Sequence, residues 1–529
     1  MADETHAQSD WRNLGALPKL RQAGRQLLKL DGRQIALFDT GQGVRACANR
    51  CPHEGYPLIE GHIAGCKLTC NWHSWSFDLA SGDTLVGGDR LRVYPVEERA
   101  GEIWVDLAEL PAAERRERAL GEMCEAFEDH DYDRIARSLA RFQAASGTVD
   151  DALAMTLDWA ADRYEYGTTH ATPAAADWLR LAETFARDDV ERMAAEVEAL
   201  GHFAWDAMGG RRYPFTDETR PWNEDDFLAA IEAQDEDAAI ARLNGALAAG
   251  LGQEDIEETL TRAALSHYAG FGHATIYLTK AGELIARLGA RAAGAVLRPL
   301  VRYFTTASRE DLIPEFRRYG PTLEAWDGAG SERLTVEAFS GASVSRALEL
   351  ANSASGDVPA LYRALLGAAA LNLLRFDEAL QHKIEQPIAK NVGWLDFTHA
   401  LTFAHAVRRQ CTRFPALWPQ ALLQMACFVG RNAGFVDEGV DWTRWRVAEA
   451  GAFLAEAKAG LFDHGEVHYI YSAHRLKTTL AVEEESAHAD PETADLLVAA
   501  LNRYLNAPMK RKNVKRSAYQ ALDFVANEA

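Results

Sequence analysis

The apolar residues of this chain follow two different spacings. From about residue 25 to residue 107 they fall in short runs separated by turn residues, and the segment RQLLKLDGRQIALFDT has a hairpin signal at Asp31-Gly32. After Pro111, segments rich in alanine and leucine show helical spacing and end at glycines and prolines. The spacings predict a small all-β domain at residues 10–110 and a large all-α domain at residues 120–529.

The composition narrows the class of protein. A length of 529 residues suggests two or three domains, and a net charge of −22 argues against partners that need a basic surface, namely nucleic acid and anionic membrane. We find no run of about 18 apolar residues and no apolar signal segment in MADETHAQSD, so we expect a cytoplasmic protein without membrane spans. Seven cysteines, three of them clustered, suggest metal binding rather than disulfides.

The cluster lies in CPHEGYPLIEGHIAGCKLTCNWHSW, which contains Cys51-x-His53, sixteen further residues and then Cys70-x2-His73. A Rieske [2Fe–2S] cluster is bound by two thiolates on one iron and two imidazoles on the other, and two β-hairpin loops could each supply one pair. Zinc also accepts two cysteines and two histidines, but zinc fingers usually pair like with like along the chain. The alternating order favours the Rieske cluster.

The two loops, CPHEGYPL and CNWHSWSFDLASG, resemble those of Rieske oxygenases and ferredoxins. Respiratory-complex Rieske proteins carry an additional cysteine in each loop, where this chain has Tyr56 and Trp72. The resemblance implies a cluster of low reduction potential, reduced by an NAD(P)H-dependent reductase or a ferredoxin. Because a cluster passes only single electrons, an acceptor is expected in the helical part.

One candidate helix is WLDFTHALTFAHAVRR. Its apolar face comprises Phe397, Ala400, Phe403, Ala404 and Val407. Asp396 falls inside this face and His399 at its edge, whereas His405 falls on the polar side and is interpreted as a surface residue. Asp396, His399 and His405 could form the 2-His-1-carboxylate site of a ring-hydroxylating oxygenase. The spacing is one residue too long for that motif, and no antiparallel sheet is evident around it.

A second candidate helix, in HGEVHYIYSAHRLKTTLAVEE, carries a lysine on its apolar face. Lys477 lies in the middle of that face and His474 is one step aside. A buried lysine is costly unless it is neutralised, paired or modified, although a lysine at a helix edge can also extend to solvent. A lysine carboxylated by CO2 could bind a metal through its carbamate oxygens.

A third candidate, AALSHYAGFGHATIYL, offers two histidines. Periodicity favours His267, which falls in the apolar face, over His273 at its margin. Gly270 and Gly272 weaken this argument because they can interrupt a helix between the two histidines.

Four motifs of the helical part together resemble the questin oxidase-like family: TTHATPAAADWLRLA, AGFGHATIYLTKA, THALTFAHAVR and HRLKTTLA. The resemblance implies an all-helical oxygenase that acts on aromatic polyketides. It also implies a mononuclear non-haem iron held by four histidines and a carboxylated lysine, and it selects His273 over His267. The implied ligands are His170, His273, His399, His474 and Lys477.

These observations predict an O2-dependent oxygenase in which the cluster reduces a mononuclear Fe(II). The expected reaction is oxidation of an aromatic or quinone-like substrate, by ring opening or C–C cleavage. By analogy with ring-hydroxylating oxygenases we expect a homo-oligomer. A non-enzymatic electron carrier, in which the histidines of the helical part are only structural, is the alternative from another class.

Overall fold

The computed structural model describes residues 9–208, 210–267, 270–308 and 313–527. The chain divides into two compact units, residues 1–152 and 153–529, and the boundary falls within helix α4. All strands of the described residues lie before residue 107, and helices dominate afterwards. The predicted fold class, a small all-β domain followed by a large all-α region, is therefore confirmed.

The first unit contains three antiparallel sheets. Their strand orders are β1-β11-β10, β2-β3-β4-β9 and β5-β6-β7-β8. The strands are β1 (Trp11–Ala16), β2 (Arg25–Leu30), β3 (Arg33–Asp39), β4 (Val44–Ala48), β5 (His62–Ala64), β6 (Lys67–Thr69), β7 (Ser76–Asp78), β8 (Thr84–Val86), β9 (Val93–Tyr94), β10 (Val96–Arg99) and β11 (Glu102–Asp106). The predicted hairpin is confirmed, because Leu30 pairs with Arg33 across Asp31 and Gly32, both of which have positive φ.

Three helices complete the first unit: α1 (Leu17–Ala23), α2 (Ala112–Glu128) and α3 (Tyr132–Ala144). Helices α2 and α3 pack against each other. The Asp89 carboxylate is fully buried, and it accepts hydrogen bonds from Arg137 and Arg141 of α3. These ion pairs fasten the helical hairpin to the loop that precedes β9.

The remaining helices are α4 (Val149–Ala160), α5 (Ala171–Phe185), α6 (Asp189–Asp206), α7 (Glu224–Glu232), α8 (Glu236–Ala248), α9 (Gln253–Ala264), α10 (His273–Leu288), α11 (Ala293–Thr305), α12 (Tyr319–Glu324), α13 (Val344–Ser353), α14 (Val358–Leu374), α15 (Trp394–Arg413), α16 (Trp418–Asn432), α17 (Ala450–Ala459), α18 (Tyr469–His488), α19 (Pro491–Asn506) and α20 (Val514–Ala526). No helix of the described residues is both long and apolar enough to cross a membrane.

Four of these helices position the candidate site of the second unit. Helix α5 packs against α10, α10 against α15, α15 against α18, and α18 against α5, so the four close into a ring. Side chains of all four helices meet inside the ring at two levels. One level is formed by the histidines described below, and the other lies seven residues beyond those histidines along each helix. We call this ring the α5/α10/α15/α18 bundle.

Candidate metal centres

The two loops that carry Cys51 and Cys70 have the same backbone hydrogen bonds. In each, the cysteine N–H donates to the carbonyl five residues ahead, and the cysteine carbonyl accepts from the N–H four residues ahead. The partners are Tyr56 and Gly55 in the first loop and Trp75 and Ser74 in the second, at 2.8–3.1 Å. The second loop joins the paired strands β6 and β7, as expected for a hairpin. The first joins β4 to β5, which lie in different sheets, so the expectation of two hairpins is wrong for that loop.

The four side chains of these loops are arranged by depth. Cys51 and Cys70 are 3% and 2% exposed, whereas the side chains of His53 and His73 are 27% and 39% exposed. The two imidazole centroids lie 4.7 Å apart, and the buried Nδ1 atom of His53 has no hydrogen-bond partner among the described residues. Two thiols inside and two imidazoles outside, with a free ring nitrogen, fit a cluster with one sulfur-bound and one nitrogen-bound iron.

Four histidines meet in the core of the α5/α10/α15/α18 bundle. The Nε2 atom of His399 lies 2.7 Å from Nε2 of His273 and 3.0 Å from Nε2 of His474. The ring of His170 lies 4.7 Å from that of His273 and 4.9 Å from that of His474, centroid to centroid. Metal–imidazole bonds of about 2.0–2.1 Å place neighbouring ligand nitrogens about 3 Å apart at right angles, so this spacing suits a metal. We call these four residues the histidine layer.

Polar partners orient the rings of the histidine layer. The Nδ1–H groups of His399 and His474 donate to the carbonyls of Leu395 and Ile470, each one turn earlier in the same helix. The hydroxyl of Tyr277 lies 3.3 Å from Nδ1 of His170. Bonds of this kind fix the tautomer and leave Nε2 free to bind a metal. Nε2 of His170 is buried and has no hydrogen-bond partner among the described residues.

Glycine is required where the His273 imidazole enters the layer. Gly272 directly precedes His273 and has φ +69°, a conformation that residues with a side chain rarely adopt. A Cβ atom at this position would lie 2.3 Å from the ring of Phe403. Gly272 therefore lets helix α10 begin at His273 in close contact with α15.

Lys477 lies one turn beyond His474 on α18. It is 6% exposed, and its Nζ atom has no hydrogen-bond partner among the described residues. Burial lowers the pKa of Lys477 to about 7, and the Asp177 carboxylate opposes that shift. Burial likewise lowers the pKa values of all four histidines well below the ordinary value, which favours the neutral rings that bind metals.

A Rieske [2Fe–2S] domain model matches residues 10–94. The methanesulfonate monooxygenase ferredoxin subunit of Methylosulfonomonas methylovora is 34% identical over 86 residues, and the match covers 16% of this chain and 70% of that protein. The chain belongs to the Rieske [2Fe–2S] family.

Two longer relatives match this Rieske protein over part of their length. The 4beta-methylsterol monooxygenase of Methylococcus capsulatus is 37% identical over 14% of this chain and 23% of its own. The oxygenase subunit of 3-chlorobenzoate-3,4-dioxygenase from Comamonas testosteroni is 32% identical over 15% of this chain and 21% of its own. The chain thus spans less than a quarter of either relative, and both matches are about as long as the Rieske domain.

Four of the five ligands implied for the mononuclear iron form the histidine layer in the second unit of this Rieske protein, and the fifth, Lys477, lies one turn beyond His474. His267, the alternative to His273, lies beyond the end of α9 with Nε2 2.9 Å from a Glu232 carboxylate oxygen. No single helix contains both histidines, since α10 begins at His273. Tyr268 and Ala269, between them, lie outside the described residues.

The alternative 2-His-1-carboxylate set does not assemble. The Asp396 carboxylate caps α15 by accepting the N–H of Gly393 at 2.8 Å. His405 is 5% exposed and its Nε2 lies 3.2 Å from Glu484, so its interpretation as a surface residue is wrong. Helix α15 packs against α10, α14, α16 and α18, and these neighbours bury His405 although it lies on the polar side of the helix.

Sequence reasoning missed two buried charged residues, Asp177 and Lys280. Their side chains are 1% and 7% exposed, and they form an ion pair of 2.7 Å beside Lys477. The signal was present in the spacing, because Asp177 follows His170 by seven residues and Lys280 follows His273 by seven. Two helical turns place such residues on the same face.

Proposed function

We propose that this Rieske protein is a non-haem iron oxygenase. A [2Fe–2S] cluster held by Cys51, His53, Cys70 and His73 supplies electrons to a mononuclear iron of the second unit. The ligands of that iron are His170, His273, His399, His474 and Lys477. The observation that carries the proposal is the histidine layer, with convergent Nε2 atoms and the unpartnered amine of Lys477 one turn away.

Iron suits this pairing of sites better than zinc does. A [2Fe–2S] cluster delivers single electrons, and zinc has no redox chemistry with which to accept them. When bound, a mononuclear iron supplies O2 activation. The surrounding residues hold the imidazoles neutral, fix their tautomers through Leu395 and Ile470, and enclose the layer within the bundle.

Lys477 serves as a ligand in its carboxylated form. A protonated lysine cannot bind a metal, whereas addition of CO2 to the neutral amine, with release of one proton, gives an anionic carbamate with two oxygen donors. A pKa of about 7 leaves much of the Lys477 amine neutral at physiological pH. Four neutral imidazoles with one carbamate also leave less uncompensated metal charge in the core than imidazoles alone.

The proposed substrate is a small aromatic or quinone-like molecule, oxidised by ring opening or C–C cleavage. The resemblance to the questin oxidase-like family suggests this chemistry. Phe271 supports it, because its ring is 38% exposed and lies 5.2 Å from the His399 ring, where a planar molecule could stack against it. We further propose an NAD(P)H-dependent reductase or a ferredoxin as electron donor, and a homo-oligomeric assembly.

Replacement of Lys477 by methionine tests the iron site. Lys477→Met should lose mononuclear iron and turnover but keep the EPR spectrum of the reduced cluster. Lys458→Met is the matched control, since Lys458 is also buried, at 5% exposure, but pairs with Glu483 and packs on Phe185. Full iron content and full turnover in Lys477→Met would refute the assignment of this ligand.

A further inference from the structure

The α5/α10/α15/α18 bundle carries polar residues in its core beyond the histidine layer. Three residues further along α15 and α18 lie Thr402 and Lys477, and about seven residues further along α5, α10 and α15 lie Asp177, Lys280 and His405. Ten residues beyond the histidine layer, about 15 Å along the axis, all four helices carry a charged residue. These residues are Arg180, Glu283, Arg409 and Glu484.

A small cavity lies within this polar core. Its volume of about 10 Å³ is close to that of a single water site. Lys477, Asp177, Lys280, Thr402 and His405 line it, and the Nζ atom of Lys477 has no protein hydrogen-bond partner among the described residues. A water molecule in this position would find several polar partners, as buried waters require.

Two branches of polar side-chain contacts lead from the cavity to an open cleft of about 550 Å³ at the far end of the bundle. In one, Nε2 of His405 lies 3.2 Å from Glu484, and Glu484 lines the cleft. In the other, Lys280 contacts Asp177 at 2.7 Å and Glu283 at 3.0 Å. A lysine held between two carboxylates retains its proton, whereas an imidazole can receive a proton on one nitrogen and release it from the other.

The buried polar and charged residues of these two branches are costly if their role is purely structural. Buried ions lose their hydration, and well-packed apolar residues of similar volume are often as stable or more stable. Asp177, Lys280 and His405 are each at least nine-tenths buried. The cavity that they line is also lined by Thr402 and Lys477, which follow His399 and His474 by one turn. A role in the chemistry of the histidine layer accounts for the position and the cost of these buried residues.

We propose that a polar column, formed by Asp177, Lys280, His405 and Glu484, carries protons from the cleft to the histidine layer, and that His405 relays them through a water in the cavity. The inference rests on the proposed oxygenase function. Ring opening by insertion of one oxygen atom into a C–C bond of a substrate S consumes two electrons and two protons: S + O2 + 2e⁻ + 2H⁺ → SO + H2O. The electrons come from the cluster and its reductase, and the column supplies the protons.

Two substitutions test the route. His405→Phe removes the relay and fills the cavity, and Thr402→Val removes the hydroxyl of a residue that lines the cavity. Thr479→Val is the matched control, because Thr402 and Thr479 are both buried and each hydroxyl bonds a carbonyl one turn earlier in its own helix. Thr479 does not line the cavity. His405→Gln tests whether a polar side chain restores the function.

Iron content and the EPR signal of the NO adduct are measured first in the full-length wild-type protein, and absence of mononuclear iron there refutes the proposed function rather than the route. With iron present, His405→Phe should oxidise substrate about tenfold more slowly or worse. It should also release more hydrogen peroxide per electron and show a larger solvent deuterium isotope effect, while its iron signals stay unchanged. Thr402→Val should shift in the same direction, His405→Gln should recover part of the rate, and Thr479→Val should match wild type.

A structural readout accompanies the kinetics. A high-resolution crystal structure of the wild-type protein should show an ordered water contacting Lys477 and His405, and the His405→Phe structure should lack it. The proposal would be overturned if His405→Phe, with its iron retained, showed the same peroxide yield and solvent isotope effect as wild type. If His405→Phe loses iron, the test passes to Thr402→Val. A peroxide yield and an isotope effect equal to wild type in Thr402→Val would then overturn the proposal.

Discussion

Replacement of Gly272 by alanine should disturb the histidine layer from outside it. The positive φ of Gly272 costs a residue with a Cβ about 1–2 kcal/mol. The added Cβ would also lie 2.3 Å from the Phe403 ring, well inside van der Waals contact. Overpacking of this kind costs about 1–3 kcal/mol, so the two effects together should destabilise the second unit by about 2–5 kcal/mol.

Gly250→Ala separates the two effects. Gly250 has φ +79°, and a Cβ there would meet nothing within 4 Å, so this variant should lose only the backbone contribution of about 1–2 kcal/mol. The free energies of unfolding are compared by urea denaturation followed by far-UV circular dichroism at 222 nm, a signal dominated by helices. The difference between the variants is more reliable than either absolute value in a chain of two units.

Iron binding is the second assay of the same pair. His273 follows Gly272 directly, so displacement of α10 against α15 should weaken mononuclear iron binding by about tenfold or more. Gly250→Ala should bind iron as wild type does. Equal destabilisation in the two variants, with equal iron content, would refute the argument that contact with Phe403 sets the position of His273.

Two further predictions concern charge. The Glu54 carboxylate lies 3.9 Å from His53 and 3.8 Å from His73. Glu54→Gln should therefore raise the reduction potential of the cluster, whereas Glu60→Gln should not. Equal reduction potentials of the two variants in protein-film voltammetry would contradict this. The His405 imidazole, with Nε2 3.2 Å from a Glu484 carboxylate oxygen, lowers the pKa of Glu484. A lowered carboxyl pKa gives stability that is present above the unfolded value of about 4.3 and is lost as the pH falls towards the folded pKa. Glu484→Gln should therefore flatten the loss of stability below about pH 4 in acid titrations monitored by circular dichroism, and an unchanged pH dependence would refute the assignment.

Local chemistry made part of this molecule predictable. The Asp31-Gly32 turn predicts its hairpin because both residues tolerate positive φ. The alternating cysteines and histidines predict the Rieske domain because few metal sites use that order. Lys477 stood out because a lysine on an apolar helix face needs an explanation. Each of these signals depends on residues close together in the chain.

Signals that depend on packing between helices were not predictable. His405 lies on the polar side of α15, and only the surrounding helices make it a buried residue. His170 precedes the first residue of α5, so helical periodicity gave no reason to select it, and only the family resemblance did. The spacing from His170 and His273 could have selected Asp177 and Lys280 singly, but their ion pair joins helices more than a hundred residues apart, and no local pattern reports that pairing.

The proposed oxygenase needs a second iron site in addition to the cluster. Iron and acid-labile sulfide per chain, with EPR of the anaerobically reduced protein before and after NO, test it most directly. An oxygenase should contain about three irons to two sulfides, with the NO adduct of a high-spin ferrous ion beside the Rieske spectrum. About two irons to two sulfides in protein with a fully loaded cluster, and no NO-sensitive signal, would contradict the oxygenase and favour an electron carrier.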